Sequence, residues 1–255
     1  MDVFSALLLG LIQGFTEWLP ISSSGHLVIA QSLLHISAPA EFDIVIMLGT
    51  IAALLLYFRK KIITLANGLL RREPNAVKYI LLMLLAGIPT AIVGFAGKAF
   101  FKSLFSQPFI VSLFIILTGI FLYFASRKRE QKKDLDAKSA FAVGLAQGIA
   151  VAPGISRSGS TIGTALLLGI KPTEAAEFSF LIGAPAMLVA SLLEFKDLAS
   201  TTFDMQLAAV GIVAAFIAGY ASIAFFMEIL KRGKLELFAY YCIIAGLLFA
   251  ALTYN

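Results

Sequence analysis

Charge is scarce in this chain, and so are the residues that build cross-links and metal cages. Its 255 residues include one cysteine, two histidines and one tryptophan, and only 14% are charged. The lone Cys242 lies in an apolar run and cannot close an internal disulfide. With two histidines and one cysteine there is no dedicated cluster of metal ligands. A charged fraction this low excludes an ordinary soluble domain, where about a quarter of residues carry charge. The net charge of +5 is gathered into a few short clusters. No face interleaves aromatic and basic side chains, so nucleic acid is excluded as a partner. The N-terminus, MDVFSALLLGLIQGF, lacks a basic leader and an A-x-A site, and no cleaved signal peptide is expected.

Apolar sequence is what the chain has in abundance. Hydrophobic residues make up 60%, and mean hydropathy is +0.93. Six long apolar segments read as membrane spans: about 42–58, 77–97, 108–126, 174–195, 206–230 and 236–253. Basic clusters fall at Arg59-Lys60-Lys61 with Arg71-Arg72, from Arg127 to Lys138, and at Lys231-Arg232 with Lys234. Placing all three in the cytoplasm fixes the direction of every span. That assignment closes only if regions 3–36 and 139–171 enter and leave on one side, as re-entrant helix–loop–helix hairpins. The first would open outward and the second inward, leaving both termini outside. A plain eight-span protein is the simpler alternative, but it puts a basic loop on the wrong side.

Both hairpin regions carry polar groups that hydrocarbon penalises, and the two resemble each other. Residues 10–27, GLIQGFTEWLPISSSGHL, align without gaps on residues 144–161, GLAQGIAVAPGISRSGST. The offset of 134 pairs Gly10 with Gly144, Gln13 with Gln147, Gly14 with Gly148, Ser22 with Ser156, Ser24 with Ser158 and Gly25 with Gly159, and later Asp43 with Glu177 and Gly49 with Gly183. The expected fold is therefore an all-α polytopic membrane protein forming one domain over 1–255. It has six transmembrane helices and two re-entrant hairpins in an inverted-topology repeat, with halves at about 1–126 and 139–255 and a cytoplasmic linker at about 127–138. Hairpins entering from opposite faces bring their polar tips together inside the bundle.

The two tips divide the chemistry between them. The second, PGISRSGST, offers Arg157, Ser156, Ser158, Ser160, Thr161 and two flexible glycines, Gly154 and Gly159. A helix starting near Ser158 or Gly159 would present N–H groups, hydroxyls and a guanidinium, a set suited to phosphate. The first tip offers Ser22, Ser23, Ser24, Gly25 and His26, with Gln13 and Glu17 four residues apart on one face of the preceding helix. One tip holds an acid and a titratable imidazole; the other holds a permanent cation. That pairing suits phosphoryl hydrolysis, where positioning and charge stabilisation do most of the catalysis. The plainer readings are that Glu17 is an acid satisfied by the serines, that His26 bonds to backbone at an interface, and that Arg157 snorkels to the surface. Ionisable groups at membrane depth argue for function. Asp43 and Glu177 read as structural charges, His35 as a loop residue, Lys98 and Lys102 as outer-interface charges, and Trp18 as packing.

QGFTEWLPISSSGH paired with PGISRSGST resembles the undecaprenyl-diphosphate phosphatases of the bacitracin-resistance type, which carry (E/Q)-x-x-x-E, then P-x-S-S-[ST]-G-H, and later P-G-x-S-R-S-[GA]. EFSFLIGAP at 177–185 also fits, and the likeness runs over essentially the full length. The resemblance implies hydrolysis of a C55 polyprenyl diphosphate to the monophosphate and inorganic phosphate. This recycles a lipid carrier for peptidoglycan synthesis in the bacterial plasma membrane, with a site open to the outer face. By motif match, Gln13 and Glu17 are the paired positions of (E/Q)-x-x-x-E, so only one carboxylate is present. Ser23, His26, Ser156, Arg157 and Thr161 also fall in the motifs. The expected roles are catalytic for Glu17, Ser23, His26 and Arg157, and phosphate-binding for Gln13, Ser22, Ser24, Gly25, Ser156, Ser158, Gly159 and Thr161. The nucleophile, Ser23 or His26, stays open, with Ser23 preferred and His26 assisting. No tightly bound cofactor is expected, and no certain metal ligand; Mg²⁺ or Ca²⁺ bridging the diphosphate to Glu17 is compatible, as is a homodimer. The rival reading is a secondary transporter or lipid flippase, which would need the same anion site between inverted repeats.

Overall fold

A computed structural model describes residues 1–128, 133–198 and 204–254. Part of the expected 127–138 linker, residues 129–132, lies outside the described residues. Among those described, the chain forms twelve helices: α1 Val3–Glu17, α2 Ser23–Leu33, α3 Ala40–Tyr57, α4 Arg59–Leu70, α5 Pro74–Ala96, α6 Lys98–Leu104, α7 Pro108–Ser126, α8 Ala137–Ile149, α9 Arg157–Leu167, α10 Pro172–Leu198, α11 Met205–Lys231 and α12 Glu236–Thr253.

Helix length separates spans from hairpins. α5, α7, α10, α11 and α12 are long and apolar enough to cross a bilayer, and α3 is an 18-residue apolar helix from whose end α4 departs at a bend of 71°. At 1.5 Å per residue, the 15 residues of α1 and the 11 of α2 reach only about 22 and 16 Å, short of a hydrocarbon core of about 30 Å. α8 and α9, with 13 and 11 residues, are equally short. Two breaks that read as plain loops contain helices. Residues 59–70 form α4, which leaves α3 at a sharp bend, and 98–104 form α6.

The offset of 134 reappears in backbone chemistry. α2 and α9 begin and end 134 residues apart, at 23 and 157 and at 33 and 167. Asp2 caps α1 by accepting from Ser5 N–H, and Asp136 caps α8 by accepting from Ser139 N–H, each at 2.8 Å. The bonds from Ser139, with Lys133 adding to them, hold the Asp136 carboxyl well below the ordinary carboxylate range. Ser22 and Ser156 cap α2 and α9 by accepting from Gly25 and Gly159.

The shared glycines let helices touch backbone to backbone. A Cβ on Gly10 would lie 2.4 Å from the Gly211 carbonyl oxygen, and one on Gly14 2.6 Å from that of Ala215, so α1 seats directly on α11. α8 seats on α5 in the same way, where a Gly144 Cβ would lie 2.1 Å from the Ala86 oxygen. Between helices in lipid, close packing of small residues is a main source of cohesion. Backbone cannot yield as a flexible side chain can. Gly144→Ala is expected to destabilise the protein by about 1–3 kcal/mol, read as a lower unfolding temperature in detergent; an unchanged midpoint would refute the packing argument.

Candidate active site

Both hairpins turn through a residue of positive φ, a serine in the first and a glycine in the second, and the corners interlock. Ser22 has φ of 70° and Gly154 has φ of 94°. Only glycine adopts the second freely, and a Cβ there would lie 2.4 Å from the Val111 oxygen of α7. Gly154 N–H donates to Ser22 Oγ at 3.1 Å, while Ser158 Oγ donates to the Leu19 carbonyl at 2.8 Å. Thr118 of α7 ties the second corner down, donating to the Gly154 carbonyl and accepting from Ser156 N–H, both at 3.1 Å.

The N-termini of α2 and α9 therefore converge. First-turn N–H groups have no intrahelical acceptor, and each helix N-terminus carries partial positive charge. α9 starts at Arg157, just before the expected start near Ser158 or Gly159, because Ser156 serves as its cap.

At this junction Glu17 collects donors from both hairpins. Arg157 Nη2 donates to Glu17 Oε1 at 2.8 Å; Gln13 Nε2 and Ser23 Oγ donate to Glu17 Oε2 at 2.9 and 2.5 Å. The side chains of the ion pair are 14% and 6% exposed. The guanidinium also lies 4.8 Å from the centre of the Trp18 ring, bonds to the Ser179 carbonyl at 3.5 Å and touches Met187 Sδ at 3.4 Å. Its Nε is buried without a partner, leaving one donor of the fork unused.

Several expected phosphate ligands have their hydroxyls engaged within the tips. Ser22 and Ser156 act as caps, Ser158 bonds to the opposite tip, and Thr161 Oγ1 bonds to the Arg157 carbonyl and to Ser179 Oγ. Ser24 lies 3.5 Å from Ser22 Oγ. Gly25 and Gly159 keep the tips close: a Cβ on Gly25 would lie 3.1 Å from Gly154 Cα, and one on Gly159 3.3 Å from the Pro20 oxygen. His26 faces away from the ion pair. Its Nδ1 lies 2.7 Å from the Ser22 carbonyl, and its Nε2 lies 2.9 Å from the Tyr241 hydroxyl of α12, on whose ring it stacks. The structure thus joins Gln13, Glu17, Ser23 and Arg157 directly, and links His26 to them through the Ser22 backbone.

Asp43 and Glu177 lie apart from this junction. Gln31 Nε2 donates to both Asp43 oxygens at 3.0 Å, and Lys61 pairs with Glu177 at 2.9 Å.

Trp18 packs, as expected, fully buried beneath Arg157. Sequence reasoning missed the other supports. Tyr241 stands in an apolar run and gave no signal. Ser179 and Gly183 lie in EFSFLIGAP, to which the family resemblance pointed; the offset of 134 also marked Gly183, as the partner of Gly49. A Cβ on Gly183 would fall 2.0 Å from Arg157 Nη1. Gly183→Ala is therefore expected to push the guanidinium aside and lower kcat/KM by about ten- to a hundred-fold, as misplacement by about an ångström does. Full activity in that variant would show that the guanidinium can move without cost.

A family model described as bacitracin resistance protein BacA matches residues 6–248. The chain is 38% identical over 267 residues to an undecaprenyl-diphosphatase of Methanosphaera stadtmanae, covering 97% of each chain. It is 40% identical over 256 residues to one of Carboxydothermus hydrogenoformans, covering 96% of this chain and 95% of the other. It is also 40% identical over 262 residues to one of Syntrophotalea carbinolica, covering 99% and 100%.

Proposed function

This chain belongs to the bacitracin resistance protein family, and on that premise we propose that its joined hairpin tips are the site of an undecaprenyl-diphosphatase. The protein is a multi-pass membrane hydrolase acting on a diphosphate. Its substrate is a polyprenyl diphosphate, cleaved to the monophosphate and inorganic phosphate. The single observation that supports the site is Glu17, which receives Ser23, Gln13 and Arg157 from two separate hairpins.

In this reading Arg157 and the first-turn N–H groups of α2 and α9 hold the terminal phosphate. Glu17 takes the proton of Ser23 as Ser23 Oγ attacks the terminal phosphorus. The P–O bond to the inner phosphate breaks, and polyprenyl monophosphate leaves. Water then releases the phosphate from Ser23. His26, bonded to the Ser22 carbonyl and to Tyr241, assists by holding the Ser22–Ser23 turn in place. Glu17 is the one carboxylate at the tips, and among the described residues no three His, Cys, Asp or Glu side chains gather as a metal cage. A divalent cation would thus be held by Glu17 together with substrate phosphate oxygens, and would supply charge neutralisation. The site opens to the outer face of a bacterial plasma membrane, and both termini lie on that side. A transporter reading is not favoured, because carriage alone gives no reason to set a hydroxyl nucleophile against a carboxylate beside a phosphate-seeking arginine.

Acid quench of the enzyme turning over a diphosphate labelled in its terminal phosphate tests the covalent step. The wild type and His26→Ala are expected to retain labelled protein, and Ser23→Ala to lose it. Loss in His26→Ala alone would transfer the nucleophile to the imidazole, and equal labelling in both variants would remove the covalent step.

A further inference from the structure

α4 carries a feature that phosphate hydrolysis does not use. Over residues 59–72, RKKIITLANGLLRR, there are five cations and no acid. The helix leaves the end of α3 at a 71° bend, so it cannot continue along that span.

Its three faces have distinct surroundings. Ile62 and Leu65 pack on the core, and Gly68 sits against α5, where its Cβ would meet Ala76 Cβ at 2.6 Å. Lys61 fastens this face, bonding to Glu177 of α10 at 2.9 Å with its ammonium 5.4 Å from the Tyr79 ring centre. A second face holds Ile63 and Leu70, seven residues apart and 57% and 82% exposed. A third runs through Lys60, Thr64, Asn67 and Arg71, spaced four, three and four residues apart on one exposed stripe. Arg72 follows at the corner into α5. Lys60, Arg71 and Arg72 have no carboxylate within ion-pair distance among the described residues.

An exposed apolar stripe beside an exposed cationic stripe, on a helix turned off the end of a span, is the pattern of a helix lying in a membrane interface. We propose that α4 lies in the leaflet at this end of α3 and binds anionic phospholipid, with Leu70 and Ile63 in the acyl boundary and Lys60, Arg71 and Arg72 on headgroup phosphates. Charge complementarity selects an anionic leaflet over a zwitterionic one: each surface cation favours anionic lipid about five-fold. The Lys61–Glu177 bond and the Gly68 contact fix the depth of the helix by tying it to α10 and α5. The proposal rests on the chain being a membrane protein, not on its phosphatase chemistry.

Two measurements on the full chain test it. In vesicles containing acyl-chain-brominated lipid, L70W is expected to show strong bromine quenching beyond that of Trp18, whereas N67W remains accessible to aqueous iodide. Iodide quenching of L70W as strong as that of N67W would overturn the interfacial placement. Second, spin-labelled phosphatidylglycerol is expected to associate with the wild type at least about five-fold more than spin-labelled phosphatidylcholine. The ratio should fall towards one in K60Q/R71Q/R72Q, with phosphate release in detergent unchanged. Equal association of both lipids with the wild type, or an unaltered ratio in the triple variant, would overturn the anionic preference.

Discussion

Arg157→Ala is expected to lower phosphate release from a C55 diphosphate by at least about a thousand-fold, roughly 4 kcal/mol of barrier. The guanidinium is held by Glu17 at 2.8 Å, Ser179 at 3.5 Å and the Trp18 ring at 4.8 Å, so its position is set before substrate arrives. Preorganised charge of this kind is usually the largest contribution to catalysis at a developing anion. Truncation also strands Glu17, 6% exposed, without its counter-ion, and breaking a buried pair costs about 3–5 kcal/mol of stability. Arg157→Lys separates the two effects. It keeps the charge but not the planar fork, so the unfolding temperature should largely recover while kcat/KM stays down about a hundred-fold. Kinetics and thermal unfolding of the two variants together make the test. Activity within ten-fold of wild type in Arg157→Ala would remove this arginine from the site.

Glu17→Gln is expected to be nearly as damaging, at about 10²–10⁴-fold in kcat, although the two side chains have almost the same shape. Glu17 accepts on both oxygens: Arg157 donates to Oε1, and Gln13 and Ser23 both donate to Oε2. An amide has one acceptor oxygen and one NH₂ group. With its NH₂ towards Arg157 the amide would face a donor-only group; with its oxygen there, its NH₂ would face Gln13 and Ser23, which must turn round to accept instead of donate. Ser23 also loses the base that would take its proton. The unfolding midpoint and kcat should be measured together, with Gln13→Ala as a comparison. That comparison removes one bond to Oε2 and leaves the carboxylate, so its kcat should fall much less. Wild-type kcat in Glu17→Gln would rule out proton transfer through this group.

Much of the architecture was legible because the bilayer imposes it. Runs of apolar residues have to be helices of about 20 residues, and the polar SSSGH and SRSGST stretches stood out against them. The offset of 134 was readable because the same backbone problem is solved twice. Ser22 and Ser156 each cap a helix, and Gly10 and Gly144 each admit a neighbouring backbone. Helices α4 and α6 were hidden in polar breaks because, at 12 and 7 residues, neither contains a long apolar run.

By itself the sequence determined the membrane class, the two polar tips and the residue types a phosphate site requires, since these follow from composition and local spacing. Tertiary structure alone decided which of those groups meet. Glu17 and Arg157 are 140 residues apart, and no periodicity links them. Their bond exists because the two corners interlock through Ser22, Gly154, Ser158 and Leu19. The same packing sends His26 towards Tyr241, spends the hydroxyls of Ser156, Ser158 and Thr161 on holding the turns, and makes Trp18 a floor for the guanidinium. A hydroxyl's role depends on the acceptor nearest to it, and in a folded chain that acceptor is supplied by distant residues.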